Sequence, residues 1–332
     1  MSKRLFLSRL LKRSGIFALI DALPSRPGVL VVNHHRIGHA ERTRFDRGVF
    51  SQTAEGLDEQ VRFLRKRMPI VAGEELEALL TGKTPLKRTY AAITFDDGYL
   101  DNFTHAFPVL QAHAVPGIFF PVIQYIGTGS VPWWDEIAYL VRNTTRSTVE
   151  VETPAPLRLE VGADREAVIL QLLRHYKKPE NRDGEQFLEE LRASTGCTVP
   201  KPGRRFLNWE EARTMAAAGM EFGSHTCSHT VLSQQTPETQ RWELAESRRI
   251  LESELGRRVH SVAYPVGSAS AFTPETEQIA ALSGFSLGFA FQGGFNSPGS
   301  GRATHVQRIS PAPEMELFQA QYLQLAKSKM GT

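Results

Sequence analysis

Two carboxylates stand side by side in the segment Thr94-Phe95-Asp96-Asp97-Gly98, directly after an apolar run. At the end of a strand neighbouring side chains diverge, so one carboxylate can face a cation while the other faces the water beside it. A cation also lets both acids stay ionised at close range, which two bare carboxylates resist. The plainer use of Asp-Asp-Gly is a turn or a helix cap, with Gly98 supplying the bend. A second cluster, His225-Thr226-Cys227-Ser228-His229, follows a short apolar run ending in glycine. The four-residue spacing of its histidines predicts a helical turn with both imidazoles on one side, the arrangement that pairs two histidines on one ion. The third ligand is then an acid. Asp97 completes a His, His, Asp set that leaves positions open for water and a substrate oxygen. Zinc (Zn2+) suits these donors, and cobalt, nickel or iron fit them as well. Without a metal the histidines would serve as caps or surface residues. Cys227, between them, reads as a packed thiol.

The elements that must position these groups are short apolar runs separated by helical patterns. GVLVVNHH, TYAAITF, GIFFPV, MEFG, SVAY, SLGFAF and THVQRI read as strands. Helices are expected over 57–67, 74–80, 102–114, 209–218, 237–255 and 274–282. Such alternation means an α/β fold of parallel strands and crossover helices. A closed barrel and an open doubly wound sheet both satisfy it. In either, chemistry belongs at the C-terminal ends of the strands, where the polar clusters fall.

With 332 residues, 41% of them apolar, the chain can bury a sizeable core. Its 39 basic and 36 acidic side chains are spread along the sequence, which gives no footprint for a nucleic-acid partner. Two cysteines in unrelated settings do not make a disulfide framework. Residues 1–23 begin basic, but Arg9, Lys12, Arg13 and Asp21 break the apolar run, so no clear signal peptide is expected and a cytoplasmic location is. Leu5, Phe6, Arg9, Leu10, Arg13, Ile16, Phe17 and Ile20 fall at helical spacing and predict one amphipathic leader helix. It either packs on the protein with its basic face in water or makes a peripheral contact at the inner face of a membrane. Residues 24–332 form the main domain, with a polar insertion at about 143–205 carrying helices over 165–176 and 185–194. The insertion is expected to decorate the fold rather than to cap its site.

TFDDG, then HTCSH, then AYPVG, in that order and spacing, resemble the polysaccharide deacetylase family, the NodB-type family 4 carbohydrate esterases. The likeness extends through VVNHHRIG, YLDNFTHAFPVLQAHAVPGIFF, IGTGSVPWWDEIA and ELAESRRILESELG, from residue 29 to 310, and is weakest in the insertion. It implies a distorted (β/α) barrel of about seven parallel strands. It also implies a metal-dependent hydrolase that removes N-acetyl groups from the amino sugars of a polysaccharide or lipid-linked glycan. By the same resemblance Asp96 is the general base, Asp97, His225 and His229 hold one divalent metal, and the backbone N–H of Tyr264, beside Pro265 at the substrate, steadies the oxyanion. Trp133 and Trp134 follow a Gly-Thr-Gly-Ser loop; two adjacent indoles cannot both face inward on one strand, so at least one is expected beside the groove, where its ring can stack on a sugar.

The sequence departs from the family pattern in two places. SVAYPVG lacks an arginine before its proline, and Arg308 in THVQRI is the candidate replacement, pairing with Asp96. The late Leu-x-His motif that supplies the catalytic acid is not evident, which leaves His35 and His305 as candidates. Strict strand alternation would turn His305 and Arg308 to opposite sides. Two other readings fit the same residues: a deformylase or other amidase of a lipid-linked amino sugar, and a catalytically silent carbohydrate-binding protein. Release of acetate, of formate, or of neither separates them.

Overall fold

A computed structural model describes residues 3–201, 203–299 and 302–327. Met1 and Ser2 of the expected leader, and the last five residues of the expected main domain, lie outside these. Six strands carry the fold: β1 (Gly28–His34), β2 (Thr89–Asp97), β3 (Ile118–Pro121), β4 (Glu221–Phe222), β5 (Ser261–Ala263) and β6 (Leu287–Phe289). β1 is buried along its whole length and β2 along nearly all of it, as expected of parallel strands covered on both faces by crossover helices. The run of pairs Gly28↔Thr89 to His34↔Phe95 sets the register of β1 on β2, and Asp96↔Phe120 and Asp97↔Pro121 that of β2 on β3.

β1, β2, β3 and β4 form one continuous parallel sheet, and β5 and β6 a second. Single parallel bridges join the pieces: Ser224↔Val262 links the end of β4 to β5, Phe289↔Val306 links β6 to the segment 306–309, and Val32↔Ile309 returns that segment to β1. The circuit therefore closes as a ring of parallel segments in sequence order, regular on one side and irregular on the other. This is the distorted barrel that the family resemblance implied. THVQRI differs from expectation: Thr304 and His305 end a 3-10 turn that starts at Ala303, and the rest supplies the seventh position through isolated bridges rather than as a strand.

Two helices, Pro237–Leu255 and Pro274–Leu282, end where the sequence marks them, whereas 57–67 forms as Ala54–Arg65 and 102–114 as a π-helical turn, Asn102–Ala106, running into Phe107–Ala112. Pro237–Leu255 starts after Thr236, whose side chain accepts from the Thr239 amide, carries Pro at its first turn, and stops at Gly256 in the left-handed region (φ 64°). The C-terminal helix Met315–Lys327 had no counterpart in the sequence reading.

The leader is two helices, Lys3–Arg13 and Ile16–Asp21, because Gly15 takes a left-handed conformation (φ 80°) between them. Both pack on Met315–Lys327, and Phe17 joins the barrel's main apolar cluster. Among the described residues no helix is long and apolar enough to cross a membrane.

The insertion holds the two expected helices, at Arg165–Tyr176 and Gly184–Thr195, and adds an antiparallel hairpin of Thr148–Val151 with Leu157–Glu160. It has its own apolar cluster, in which Val149, Ile169, Leu172, Phe187 and Leu191 pack with Ile137 and Leu140 of the preceding helix Trp133–Asn143.

Candidate active site

Asp96 and Asp97 end β2 inside the barrel mouth, both nearly fully buried. Asp97 lies in the left-handed region (φ 71°) and Gly98 follows at φ 74°, so the chain swings away and the two carboxylates separate. Gly98 cannot be replaced cheaply, because a Cβ there would sit 2.7 Å from the Pro121 side chain.

Asp96 is held from two sides. The Arg308 guanidinium grips it with two parallel bonds, Nη1 to Oδ1 at 2.7 Å and Nη2 to Oδ2 at 2.9 Å, and Asn33 Nδ2 donates to Oδ2 at 3.0 Å. Arg308 is in turn fixed by the Ala290 carbonyl through Nε and by Asn33 Oδ1 through Nη1. Burial alone would raise the Asp96 carboxyl, but Arg308 and the nearby imidazoles of His225 and His35 outweigh it and hold the group well below the usual carboxylate range. The pairing expected of Arg308 is thus present. Asn33 was missed by sequence reasoning, although it precedes the two histidines that end the first apolar run.

Asp97 Oδ1 takes no part in that arrangement. It is buried without a hydrogen-bond partner and lies 3.5 Å from His225 Nε2 and 3.5 Å from His229 Nε2. The three residues bring donor atoms within 4.8 Å of one another. Tetrahedral bonds of about 2.0–2.1 Å to a zinc-like ion would separate two ligand atoms by about 3.3 Å, so the spacing and the orphaned oxygen both fit a cation. His225 Nδ1 lies 2.7 Å from the Ala263 carbonyl and donates to it, which turns Nε2 toward Asp97 as the atom a cation would bind. Burial pushes His229 down to about 3, which keeps its ring neutral as a ligand must be, whereas Asp96 and Asp97 raise His225 against its burial, so a cation there would displace its proton.

The helical turn expected at 225–229 is absent. The two imidazoles converge instead on a loop in which Thr226 and His229 have positive φ (67° and 60°). Ser224 Oγ accepts from the Thr226 amide, Thr226 Oγ1 from the His229 amide, and Glu243 from the Cys227 and Ser228 amides and the Ser228 hydroxyl. Glu243 stands on the long helix Pro237–Leu255 and gave no sequence signal beyond a buried acid on a helix. Cys227 is buried and outside the donor set, its thiol pushed up to about 12 by burial and by Glu243. It is the packed thiol expected.

A cavity of about 380 Å³ opens above these groups. His35 lines it, with Nε2 3.9 Å from Asp96 Oδ2 and its backbone held by Ser51 and Asn102. Trp133 and Trp134 both line it. They sit at the start of a helix rather than on a strand, so both can face the cleft and remain mostly buried. The Trp134 ring lies 4.3 Å from that of His229, and its Nε1 donates to the Tyr99 hydroxyl, which donates to Asp135. Glu166, Ile169, Leu170, Leu173 and Lys177 supply one wall, so the insertion builds the cleft instead of decorating the fold. Sequence reasoning missed Lys177; burial lowers its ammonium, and its Nζ lies 5.5 Å from the Trp133 ring centre.

Three expected groups stand elsewhere. The Tyr264 amide donates to the Phe289 carbonyl in the β5–β6 ladder, and its hydroxyl donates to Thr304, so neither is available to a substrate. Pro265 is buried outside the cavity lining. His305 lies against Glu277, 2.8 Å from its carboxylate, and away from the cavity. In place of Tyr264 and Pro265 the cavity meets Val266. The Gly267 amide donates to the Pro265 carbonyl across Val266, whose φ of 63° marks a tight, strained turn, and among the described residues no acceptor takes the Val266 amide. Five non-glycine residues of the described chain have positive φ, and four of them, Asp97, Thr226, His229 and Val266, surround this site; backbone strain concentrates where side chains and amides must be aimed.

A buried acid pinned by arginine, a convergent triad of donors and a walled cleft at the C-terminal ends of parallel strands define a hydrolase-type barrel site. The chain belongs to the polysaccharide deacetylase family, whose model matches residues 83–287. YxkH of Bacillus subtilis (strain 168), which carries the polysaccharide deacetylase name, is 22% identical over 248 residues, 74% of this chain and 61% of that protein. The poly-beta-1,6-N-acetyl-D-glucosamine N-deacetylase of Escherichia coli (strain K12) is 32% identical over 103 residues, 30% of this chain and 15% of that protein. The chain thus spans less than two thirds of either relative. Among solved structures, IcaB from Ammonifex degensii superimposes with a TM-score of 0.58 at 22% identity, covering 90% of this chain and 97% of that one. The Streptococcus pyogenes deacetylase PplD in complex with acetate gives 0.57 at 17% identity, covering 91% and 100%. These two share the fold.

Proposed function

We propose that this protein removes N-acetyl groups from the amino sugars of a polysaccharide by metal-assisted hydrolysis, with Asp97, His225 and His229 holding one divalent cation, zinc first among the candidates. The observation that carries the reading is the division of labour between two adjacent acids: Asp97 Oδ1 is buried and unpartnered between two imidazoles, while Asp96 is bound to Arg308 and Asn33. A cation in that triad would supply acidification of a water and polarisation of an acyl carbonyl. Asp96, kept ionised by Arg308, is the base placed to take a proton from the attacking water. The open Val266 amide donates to the oxyanion, the part first expected of Tyr264. His35 delivers a proton to the departing amine, without which the C–N bond does not break readily. Trp133 and Trp134 offer ring faces to a sugar in the same cleft. The name of the E. coli relative supports an N-acetylglucosamine polymer as substrate class, and the acetate named in the PplD title agrees with an acetyl leaving group.

The test is acetate release from β-linked N-acetylglucosamine oligomers together with metal content. Asp97→Ala and His225→Ala should lose bound metal and activity together, whereas Asp96→Asn should keep the metal and lose activity by about 10²–10⁴-fold. Equal metal loss in all three would refute the division of roles, and formate release from a formylated analogue with no acetate from any oligomer would replace the acetyl reading.

A further inference from the structure

We infer that the two N-terminal helices dock this protein flat on an anionic lipid surface. Among the described residues nine large hydrophobic side chains are exposed, and six of them, Phe6, Leu7, Leu10, Ile16, Leu19 and Leu23, fall within this one short stretch. Exposures of 58% for Phe6 and 71% for Leu19 are far from the burial a finished core would give them. Each helix already has an inward face: Leu5 and Ser8 are buried on the first and Phe17 on the second. Phe6 and Leu10, four apart on the first helix, and Ile16 and Leu19, three apart on the second, lie at same-face spacings on the outward side, and the exposed Leu23 follows just past the second helix.

Charge decides what the outward side fits. Lys3, Arg4, Arg9, Lys12 and Arg13 are all exposed along the first helix, which contains no acid. The second helix has one, Asp21, and Arg67 takes it up at 2.6 Å; Lys12 reaches Glu316 at 3.5 Å. An apolar stripe edged by cations complements a bilayer interface with anionic headgroups, where side chains of this kind enter the acyl boundary and the ammonium and guanidinium groups stay at headgroup level. The helices have 11 and 6 residues and are fixed along one face to Met315–Lys327, so they can lie on a membrane but not span it.

The experiment is co-sedimentation of the full chain with vesicles of phosphatidylcholine alone and of phosphatidylcholine mixed with phosphatidylglycerol. The protein should partition to the anionic vesicles at least about tenfold better, since each cation near such a surface contributes about fivefold, and added salt should weaken the binding. Phe6→Ser/Leu10→Ser/Leu19→Ser should abolish binding, and Arg4→Glu/Arg13→Glu should remove the preference for anionic lipid; both variants should keep the parent circular dichroism and Tm, because every altered side chain is exposed. Equal, weak sedimentation of the parent with both vesicle types would overturn the inference, as would a triple-serine variant that binds like the parent. A self-associated parent that the triple-serine change turns monomeric, with no vesicle binding, would assign the face to a second copy of the chain. None of these outcomes depends on deacetylase activity.

Discussion

Asp96 and Asp97 are neighbours in sequence with different surroundings, because one faces a guanidinium and the other two imidazoles. Removing Arg308 probes that difference most directly. In Arg308→Met the carboxyl of Asp96 loses the charge that holds it low while burial still pushes it up, so its pKa rises. A base must be unprotonated to act, and the acid limb of the kcat/KM profile should therefore move to higher pH. With its orientation also loosened, kcat should fall by about 10²-fold while KM changes little. Breaking a buried pair on one side should cost about 3–5 kcal/mol of stability, read by urea titration. A pH profile unmoved by the substitution would mean that Arg308 serves packing alone.

Among the elements, the helix Pro237–Leu255 has a task beyond covering the barrel. Its Glu243 gathers two amides and a hydroxyl of the loop that carries both histidines, and no other acid is recorded at those groups among the described residues. The loop has two left-handed residues and little regular structure of its own to hold it. Glu243→Ala should thus weaken divalent-cation affinity by about 10–100-fold, as loss of a residue supporting a metal ligand does, while circular dichroism stays unchanged. Titration calorimetry with zinc competed by a chelator measures this; unchanged affinity would show that the loop keeps its shape without the helix. The insertion is the second element whose role packing decides. Ile169, Leu170, Leu173 and Lys177 share one side of Arg165–Tyr176 and its end, and that side meets the cavity.

At the scale of the molecule, packing of the helix Ala54–Arg65 against the barrel buries groups that would otherwise be wet. His34, at the end of β1, is one of them: burial pushes its imidazole down to about 4, against a hydrogen bond with Gln60 that favours the charged form. The folded state then binds fewer protons than the unfolded chain between about pH 4 and the ordinary histidine value near 6.5, so stability rises with pH across that window and falls as pH drops through it. The full difference is on the order of 3 kcal/mol. His34→Gln should flatten the slope of unfolding free energy between these limits, and an unaltered slope would place the proton linkage elsewhere.

Much of this fold was legible along the chain because its signals are local. The helices over 237–255 and 274–282 were placed to the residue, since Thr236 with Pro237 and Thr273 with Pro274 mark their starts in the sequence itself. The hairpin of Thr148–Val151 and Leu157–Glu160 also has alternating apolar residues, a signal that was there to be read. Asp96, Asp97, His225 and His229 stand out by residue type, order and family resemblance, and the structure gathers the last three within 4.8 Å, though on a loop and not on the helical turn expected of the histidine pair.

What the sequence by itself determined is the set of donors and the parallel segments that end in them, because side-chain chemistry and hydrophobic period are written residue by residue. Only the tertiary structure decided which groups meet: that Asn33 joins Arg308 at Asp96, that the Tyr264 amide is taken by Phe289 while no acceptor among the described residues takes that of Val266, and that the insertion forms a wall of the cleft. Those contacts depend on ladder register, on backbone strain at single residues and on which face of a helix is turned inward, and each of these is set by packing between segments far apart in the chain.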